Sequence, residues 1–224
     1  TMFYLFYILL LFIPLNNTFS ISRRSLFLTT TSSSMSVNNF KNTSNIDYYN
    51  VDDENDSILH IMKNNVFFSG AITSQSIFAL TTNLFALQYG EYPEINLHIQ
   101  SPGGSLLPTL GVVDLIKTSN IPINTYVDGY VASAGTLITV VGANKLMGKY
   151  STMLIHQLKM GPQSGKYDEI KDSTTNADTL MRIIKDIYLS NSNIDEDTLD
   201  FLLNHDLLLN SSECKKYGFV NYII

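Results

Sequence analysis

Apolar residues along this chain recur with two periods, one typical of β-strands and one typical of α-helices. Residues 95–99 alternate between apolar and polar side chains, which predicts a strand with His98 on the face opposite its apolar residues. Residues 66–68 form another short apolar run, and residues 74–88 and 106–117 carry apolar side chains at helical spacing. Strand, helix, strand and helix in this order predict two successive βα units and favour a parallel sheet.

The second half of the chain continues with elements of both kinds. Alternation at Ile123, Thr125 and Val127 predicts a strand that enters the core, and residues 137–141 form an apolar, uncharged segment. A strand at 151–157 and a loop at 161–165 are predicted next, followed by a helix at 167–190 whose apolar side carries Ile170, Leu180, Ile183, Ile184 and Ile187. A second helix, capped by Asn193 or Asp195, is predicted to run to Leu203. The chain is then predicted to end with a helix at 211–217, stopped by Gly218, and a strand at 219–223.

The N-terminal residues have the composition of targeting segments. Residues 3–15 are apolar but short for a membrane span, as in the hydrophobic region of a signal peptide. The residues that follow, up to 38, are rich in Ser and Thr, contain Arg23 and Arg24 and have no acid, as in a transit peptide. Residues 1–38 thus predict a two-part presequence for the plastid of a complex alga, with a mitochondrial or secretory destination as the alternative. Residues 39–57 are predicted to be a flexible leader and 58–224 the folded domain.

Charge and cysteine content exclude several classes of protein. The formal net charge of −6 argues against nucleic acid as the main partner. The single cysteine, Cys214, excludes an internal disulfide and a four-cysteine metal site, and it is predicted to be a packing residue. The sequence has no phosphate-binding loop, dinucleotide fingerprint or H-E-x-x-H motif, so no cofactor and no metal are expected.

Candidate chemistry centres on Ser133, which lies among small residues after the predicted strand at 123–127. Small neighbours allow a substrate chain to approach the hydroxyl, although Val131 departs from the G-x-S-x-G nucleophile motif. A serine needs a base to become a nucleophile, and His156 at the end of an apolar strand is a candidate. Either residue also has a purely structural interpretation, as a helix cap and as a core histidine.

The order of four motifs resembles the proteolytic subunit of the Clp protease, ClpP. These are Ser-Pro-Gly-Gly at 101–104, Ala-Ser-Ala-Gly at 132–135, Ile-His-Gln at 155–157, and Asp206 ahead of Tyr-Gly at 217–218. The resemblance covers residue 58 to the C-terminus. It implies an α/β fold of the ClpP/crotonase type, with repeated βα units and a strand-helix handle within residues 161–190.

The resemblance also implies roles for individual residues. Ser133 matches the nucleophile, His156 the general base and Asp206 the acid that orients the base, with Asp195, Asp197 and Asp200 as nearby alternatives to Asp206. The backbone amides of Gly104 and Ala134 match the oxyanion hole.

Further implications concern assembly and partners. ClpP-like subunits form two stacked heptameric rings, of one or several kinds of subunit, around a chamber. There a serine endopeptidase hydrolyses unfolded proteins that an AAA+ unfoldase supplies, and only the unfoldase uses ATP. His205 stands where the family commonly has an arginine that links the rings, and Leu158 replaces a frequent proline. The alternatives are a non-catalytic ring subunit of the same family and an acyl-CoA enzyme of the related crotonase superfold.

Overall fold

A mixed sheet with helices packed against it positions the site, and the predicted α/β fold is confirmed. The computed structural model describes residues 46–50 and 57–224. Its strands are β1 (Ile46–Asn50), β2 (Ile58–Met62), β3 (Asn65–Ser69), β4 (Ile95–Ser101), β5 (Ile123–Ala132), β6 (Lys145–Met147), β7 (Thr152–Leu154), β8 (Leu208–Asn210) and β9 (Tyr222–Ile223). Its helices are α1 (Ser74–Leu87), α2 (Leu106–Thr118), α3 (Ala134–Thr139), α4 (Tyr167–Asn191), α5 (Glu196–Leu203) and α6 (Ser211–Lys216).

Parallel pairing runs through the centre of the sheet. The strand order is β1-β2-β3-β4-β5-β6-β9, with antiparallel pairing from β1 to β3 and parallel pairing from β3 to β9. Strand β5 has two partners: residues 125–127 pair with β6, and residues 130–132 pair with β7, which is itself antiparallel to β8. Gly129, with φ of 71°, lies between these two pairings. Just before Ser133, the end of β5 thereby exchanges β6 for β7 on one side, while Val131 stays paired with Ser101 of β4 on the other.

The core lies between the sheet and helices α1, α2 and α3. Leu80 and Leu84 of α1 and Val112 of α2 are fully buried, and α2 lies against both α1 and α3. Helix α1 starts where the Thr73 hydroxyl accepts a hydrogen bond from the Ser76 amide at 3.1 Å. Ile72, which precedes the Thr73 cap, forms backbone hydrogen bonds with the loop between β4 and α2, which carries Gly103 and Gly104.

The opposite face of β4 carries stacked rings. The His98 ring lies 4.6 Å from the Phe67 ring and 4.2 Å from the Tyr126 ring, and its Nδ1 is 2.9 Å from a carboxylate oxygen of Asp128. Buried and half-buried residues alternate along β4, with His98 among the half-buried ones. The prediction that His98 faces away from the apolar residues of its strand is therefore confirmed.

Several strands differ from the predictions. Strands β6 and β8 were not predicted, because three residues are too few to show alternation. Strand β9 is shorter than the predicted strand at 219–223, because the chain turns at Gly218, where φ is 76°. The predicted leader at 39–57 contains β1, which pairs with β2.

Helix α4 buries less of its predicted apolar side than expected. Ile184 and Ile187 are buried, whereas Ile170 and Ile183 are 40% and 39% exposed. The buried residues of α4 all lie in its C-terminal half, whereas Ile170 near its start and Ile183 beside Ile184 are partly exposed. Residues 155–166, which precede α4, contain no strand, so the predicted handle consists here of an irregular segment and a helix.

The predicted presequence at 1–38 lies outside the described residues. Within residues 46–50 and 57–224, no helix combines the length and apolar character that a membrane span requires. The same residues contain no group of three or more His, Cys, Asp or Glu side chains arranged to hold a metal ion.

Two buried side chains, of Lys145 and Cys214, contact the C-terminal segments of the fold. Cys214 is fully buried on α6, which confirms it as a packing residue, and burial, helped by the charge of Glu213, raises its pKa to about 12. Lys145 at the start of β6 donates from Nζ to the backbone oxygens of Asn191, at 2.5 Å, and of Gly218, at 2.7 Å. Burial, together with the charge of Lys117, lowers the pKa of Lys145. Lys145 therefore ties β6 to the ends of α4 and α6.

We expect Lys145→Met to lower the free energy of unfolding by about 2 kcal/mol, because two carbonyl groups lose a charged donor. At a fixed protein concentration the midpoint of thermal unfolding should fall by about 4–8 °C. Lys117→Met is the matched control, since the exposed Lys117 donates to the side-chain oxygen of the same Asn191; it should change the midpoint by less than about 2 °C. Equal midpoints for the two variants would contradict the role given to Lys145.

Candidate active site

Ser133 occupies a sharp turn between strand β5 and helix α3. Its φ is 54° and its ψ is −129°, a conformation that residues with a side chain rarely adopt. The Ser133 amide donates to the carbonyl oxygen of Leu154 on β7 at 2.8 Å, which holds the turn. The strand-turn-helix geometry is that of a nucleophile elbow, although Val131 stands where the usual motif has its first glycine.

Two glycines allow the loop after β4 to approach this turn. A Cβ atom on Gly103 would lie 2.6 Å from Ser133 Cβ, and one on Gly104 would lie 2.1 Å from the carbonyl oxygen of Ile72. The loop is fastened by hydrogen bonds from Ile72 N to Gly103 O and from Ser105 N to Ile72 O, each 2.8 Å long. The close packing explains why residues 103 and 104 have to be glycine.

The amides of Gly104 and Ala134 remain available for a ligand. No hydrogen bond to either N–H group occurs within the part of the chain that the structure describes. Ala134 is the first residue of α3, where a helix leaves its amides without an internal acceptor. Both residues line one cavity of about 250 Å³ together with Ser133 and His156.

His156 lies two residues beyond the end of β7 and is half-buried. Its position is set by the next residue, because the Gln157 amide donates to the Leu203 carbonyl at 2.8 Å. His156 lines the same cavity as Ser133 and also lines a more open depression of about 530 Å³. Residues 156–159 line both features, so His156 belongs to the segment that separates them.

Asp206 lies in the second depression and is exposed. Asp195 and Asp200, two of the alternative acids, are engaged elsewhere: Asp195 accepts from the Thr198 amide at 2.9 Å, and Asp200 pairs with Lys185 at 2.6 Å. Neither they nor Asp197 line the depression that contains His156. The local geometry therefore favours Asp206 as the acid.

Ser133 shares a cavity with His156, and His156 shares a depression with Asp206. Among the described residues, no hydrogen bond links Ser133 to His156 or His156 to Asp206. Catalytic hydrogen bonds are commonly long in the absence of substrate and shorten when it binds. His205, beside Asp206, donates from Nδ1 to the carbonyl oxygen of Phe201 at 2.6 Å and stacks on the Phe201 ring.

Thr136 and Tyr188 contact this site but were not predicted from the sequence. Tyr188 is buried on α4 and lines the cavity with Ser133, and its hydroxyl contacts the Thr136 hydroxyl. The available signal was the helical spacing of Ile184, Ile187 and Tyr188, which places the tyrosine on the buried side of α4.

Comparison with known proteins identifies the family of this chain. The model of the Clp protease family matches residues 51–224. This chain belongs to the Clp protease family. It is 28% identical over 165 residues to the ATP-dependent Clp protease proteolytic subunit of Borreliella afzelii (strain PKo), an alignment that covers 71% of this chain and 82% of that protein. Membership of the Clp protease family implies peptidase activity.

The strained backbone of Ser133 predicts an effect on stability that is independent of activity. We expect Ser133→Gly to be more stable than Ser133→Ala by about 1 kcal/mol, because relief of the strained φ exceeds the entropy that glycine costs. The midpoint of thermal unfolding should differ by about 2–4 °C between the two variants. If Ser133→Ala proved the more stable of the two, the turn would not be strained in solution.

Substitution of Gly104 should lower peptidase activity because it moves the backbone. In Gly104→Ala the new Cβ collides with Ile72, which displaces the amide and should lower peptidase activity about 10²–10³-fold, as loss of one oxyanion donor does. The control is Gly111→Ala on α2, where a Cβ meets no atom within 4 Å. That variant should keep its activity and gain about 0.5–1 kcal/mol of stability. Equal activity of the two variants would show that the Gly104 amide plays no part.

Proposed function

We propose that this chain is the proteolytic subunit of an ATP-dependent Clp protease, a serine endopeptidase that hydrolyses unfolded proteins to short peptides. One observation carries the proposal: Ser133 lies on a strained turn in one cavity with His156 and with two amides that have no acceptor among the described residues. The name of the Borreliella relative and the family match support the same function.

The proposed mechanism assigns one role to each group. Ser133 Oγ attacks the carbonyl carbon of the scissile peptide while His156 takes the hydroxyl proton. The amides of Gly104 and Ala134 bind the oxygen that becomes negative, and Asp206 stabilises the charged imidazole. His156 then gives the proton to the leaving amine as the C–N bond breaks. A water molecule, activated by the same histidine, releases the acyl group from Ser133.

Assembly into two stacked heptameric rings is part of the proposal. Exposed apolar residues of α4 support it, because Tyr167 and Ile170 in its first turn and Ile183 further along are not covered within the subunit. The rings would enclose the chamber in which Ser133 acts, and a separate AAA+ unfoldase would supply unfolded chains at the cost of ATP. We also propose delivery to the plastid of a complex alga, on the composition of residues 1–38.

A fluorophosphonate probe tests the proposed chemistry. The assembled protein should be labelled at Ser133 and should cleave a fluorogenic peptide, and both properties should vanish in Ser133→Ala. His156→Ala and Asp206→Asn should each lower kcat by about 10⁴-fold or more while the native mass of the oligomer stays the same.

The same experiment separates the alternatives. An oligomer of full size that neither takes the label nor cleaves peptides would indicate the non-catalytic ring subunit. Loss of activity in Asp200→Asn but not in Asp206→Asn would show that Asp200, and not Asp206, is the acid. Asp197→Asn is the matched control, because Asp197 lies on the same segment outside the depression that contains His156.

A further inference from the structure

A buried chain of hydroxyl groups connects helix α4 to the backbone of the proposed nucleophile. The Tyr188 hydroxyl lies 2.5 Å from Thr136 Oγ1, and Thr136 Oγ1 lies 2.6 Å from the carbonyl oxygen of Ser133. Tyr188 is 1% exposed and Thr136 is fully buried, so water does not compete for these bonds.

The direction of the hydrogen bonds follows from the number of protons. A carbonyl oxygen only accepts, so Thr136 Oγ1 donates its single proton to Ser133. The Tyr188 hydroxyl must therefore donate to Thr136. Burial raises the pKa of Tyr188, which keeps the phenol protonated over the whole range in which a serine peptidase works.

The Ser133 carbonyl belongs to the same peptide unit as the Ala134 amide. The peptide bond between them is trans, so the C=O and N–H groups point in opposite directions. The carbonyl accepts two hydrogen bonds, from Thr136 Oγ1 and from the Thr136 amide at 3.0 Å. The amide at the other end of the same plane is the nominated oxyanion donor.

We propose that Thr136 and Tyr188 are positioning residues for the oxyanion hole. Their hydroxyls hold and polarise the Ser133–Ala134 peptide plane from the side that the substrate does not reach. The proposal rests on the proposed serine peptidase function and extends it to residues that do not touch the reacting atoms. Hydrogen bonds in a chain strengthen one another by roughly 10–30% each, so the polarised carbonyl makes the Ala134 N–H a better donor.

The hydrogen-bonded chain from Tyr188 through Thr136 to the Ser133 carbonyl, called the relay below, also connects helix α4 directly to the site. Tyr188 is held by its ring, which packs edge-on against Phe219 at 5.8 Å, and by its backbone oxygen, which accepts from the Ser192 hydroxyl at 2.7 Å. A shift of this end of α4 therefore moves the first hydroxyl of the relay. The cavity that holds Ser133 is lined by the same tyrosine.

The test uses single and double variants of the assembled protein. Thr136→Val should lower kcat for a fluorogenic peptide about 10–30-fold, a part of the roughly 10²–10³-fold effect of losing a whole oxyanion donor. Tyr188→Phe should lower kcat about 3–10-fold, because it only weakens the next bond in the chain. KM should change less than about twofold in both. The double variant should match Thr136→Val, since the two hydroxyls act in series.

A peptide aldehyde provides a second measurement. Its carbonyl carbon is attacked by Ser133 Oγ, and the serine proton passes through His156 to the new oxygen, which occupies the oxyanion hole. The affinity for the aldehyde should fall in parallel with kcat, which a general loss of stability would not produce.

Two variants serve as controls. Thr136→Ser keeps the hydroxyl and should keep kcat within about twofold. Thr139→Val removes another buried hydroxyl of α3, one that bonds to the Thr136 carbonyl at 2.8 Å, and should leave kcat unchanged. Unchanged kcat in both Tyr188→Phe and Thr136→Val, or an equal loss in Thr139→Val, overturns the relay and leaves the proposed function intact. Absence of labelling and cleavage in the unsubstituted protein overturns both.

Discussion

The positive φ of Ser133 is the constraint on which the rest of the site depends. A strained residue persists only where its surroundings fix it from several sides, and here three segments do so. Strand β7 accepts the hydrogen bond of the Ser133 amide, helix α3 holds the Ser133 carbonyl, and the glycine loop after β4 packs against the Ser133 side chain. The turn places Ser133 in the cavity with His156 and leaves the first amide of α3 without an acceptor among the described residues.

Small residues and close packing make this arrangement possible. Gly103 and Gly104 bring one backbone within contact distance of the turn, and each has a positive φ that suits glycine. Gly129 allows β5 to change partners just before it delivers Ser133. The unusual backbone conformations therefore lie at a few positions close to Ser133. The buried apolar residues of α1, α2 and β4 form a closely packed core around them.

The sequence predicted the parts of this structure that depend on local patterns. The alternation at 95–99 and the helical spacing at 74–88 identified β4 and α1, because each is long enough to show its period. The order of the motifs identified Ser133, His156, Gly104 and Ala134, which line one cavity in the structure. Strands β6 and β8 were missed because each has only three residues and is extended through pairing with a strand that is distant in the sequence, which leaves no local pattern. Tyr188 was missed because its partner lies 52 residues away.

The burial of Cys214 has a practical consequence. The only thiol of this chain lies inside α6 with its pKa raised to about 12, so alkylating reagents meet it only when the C-terminal part of the fold opens. A cysteine introduced on the surface would be the one thiol that such reagents reach in the folded state. Spectroscopic labels can then be attached at a chosen position, on α4 for example, without removal of a native residue.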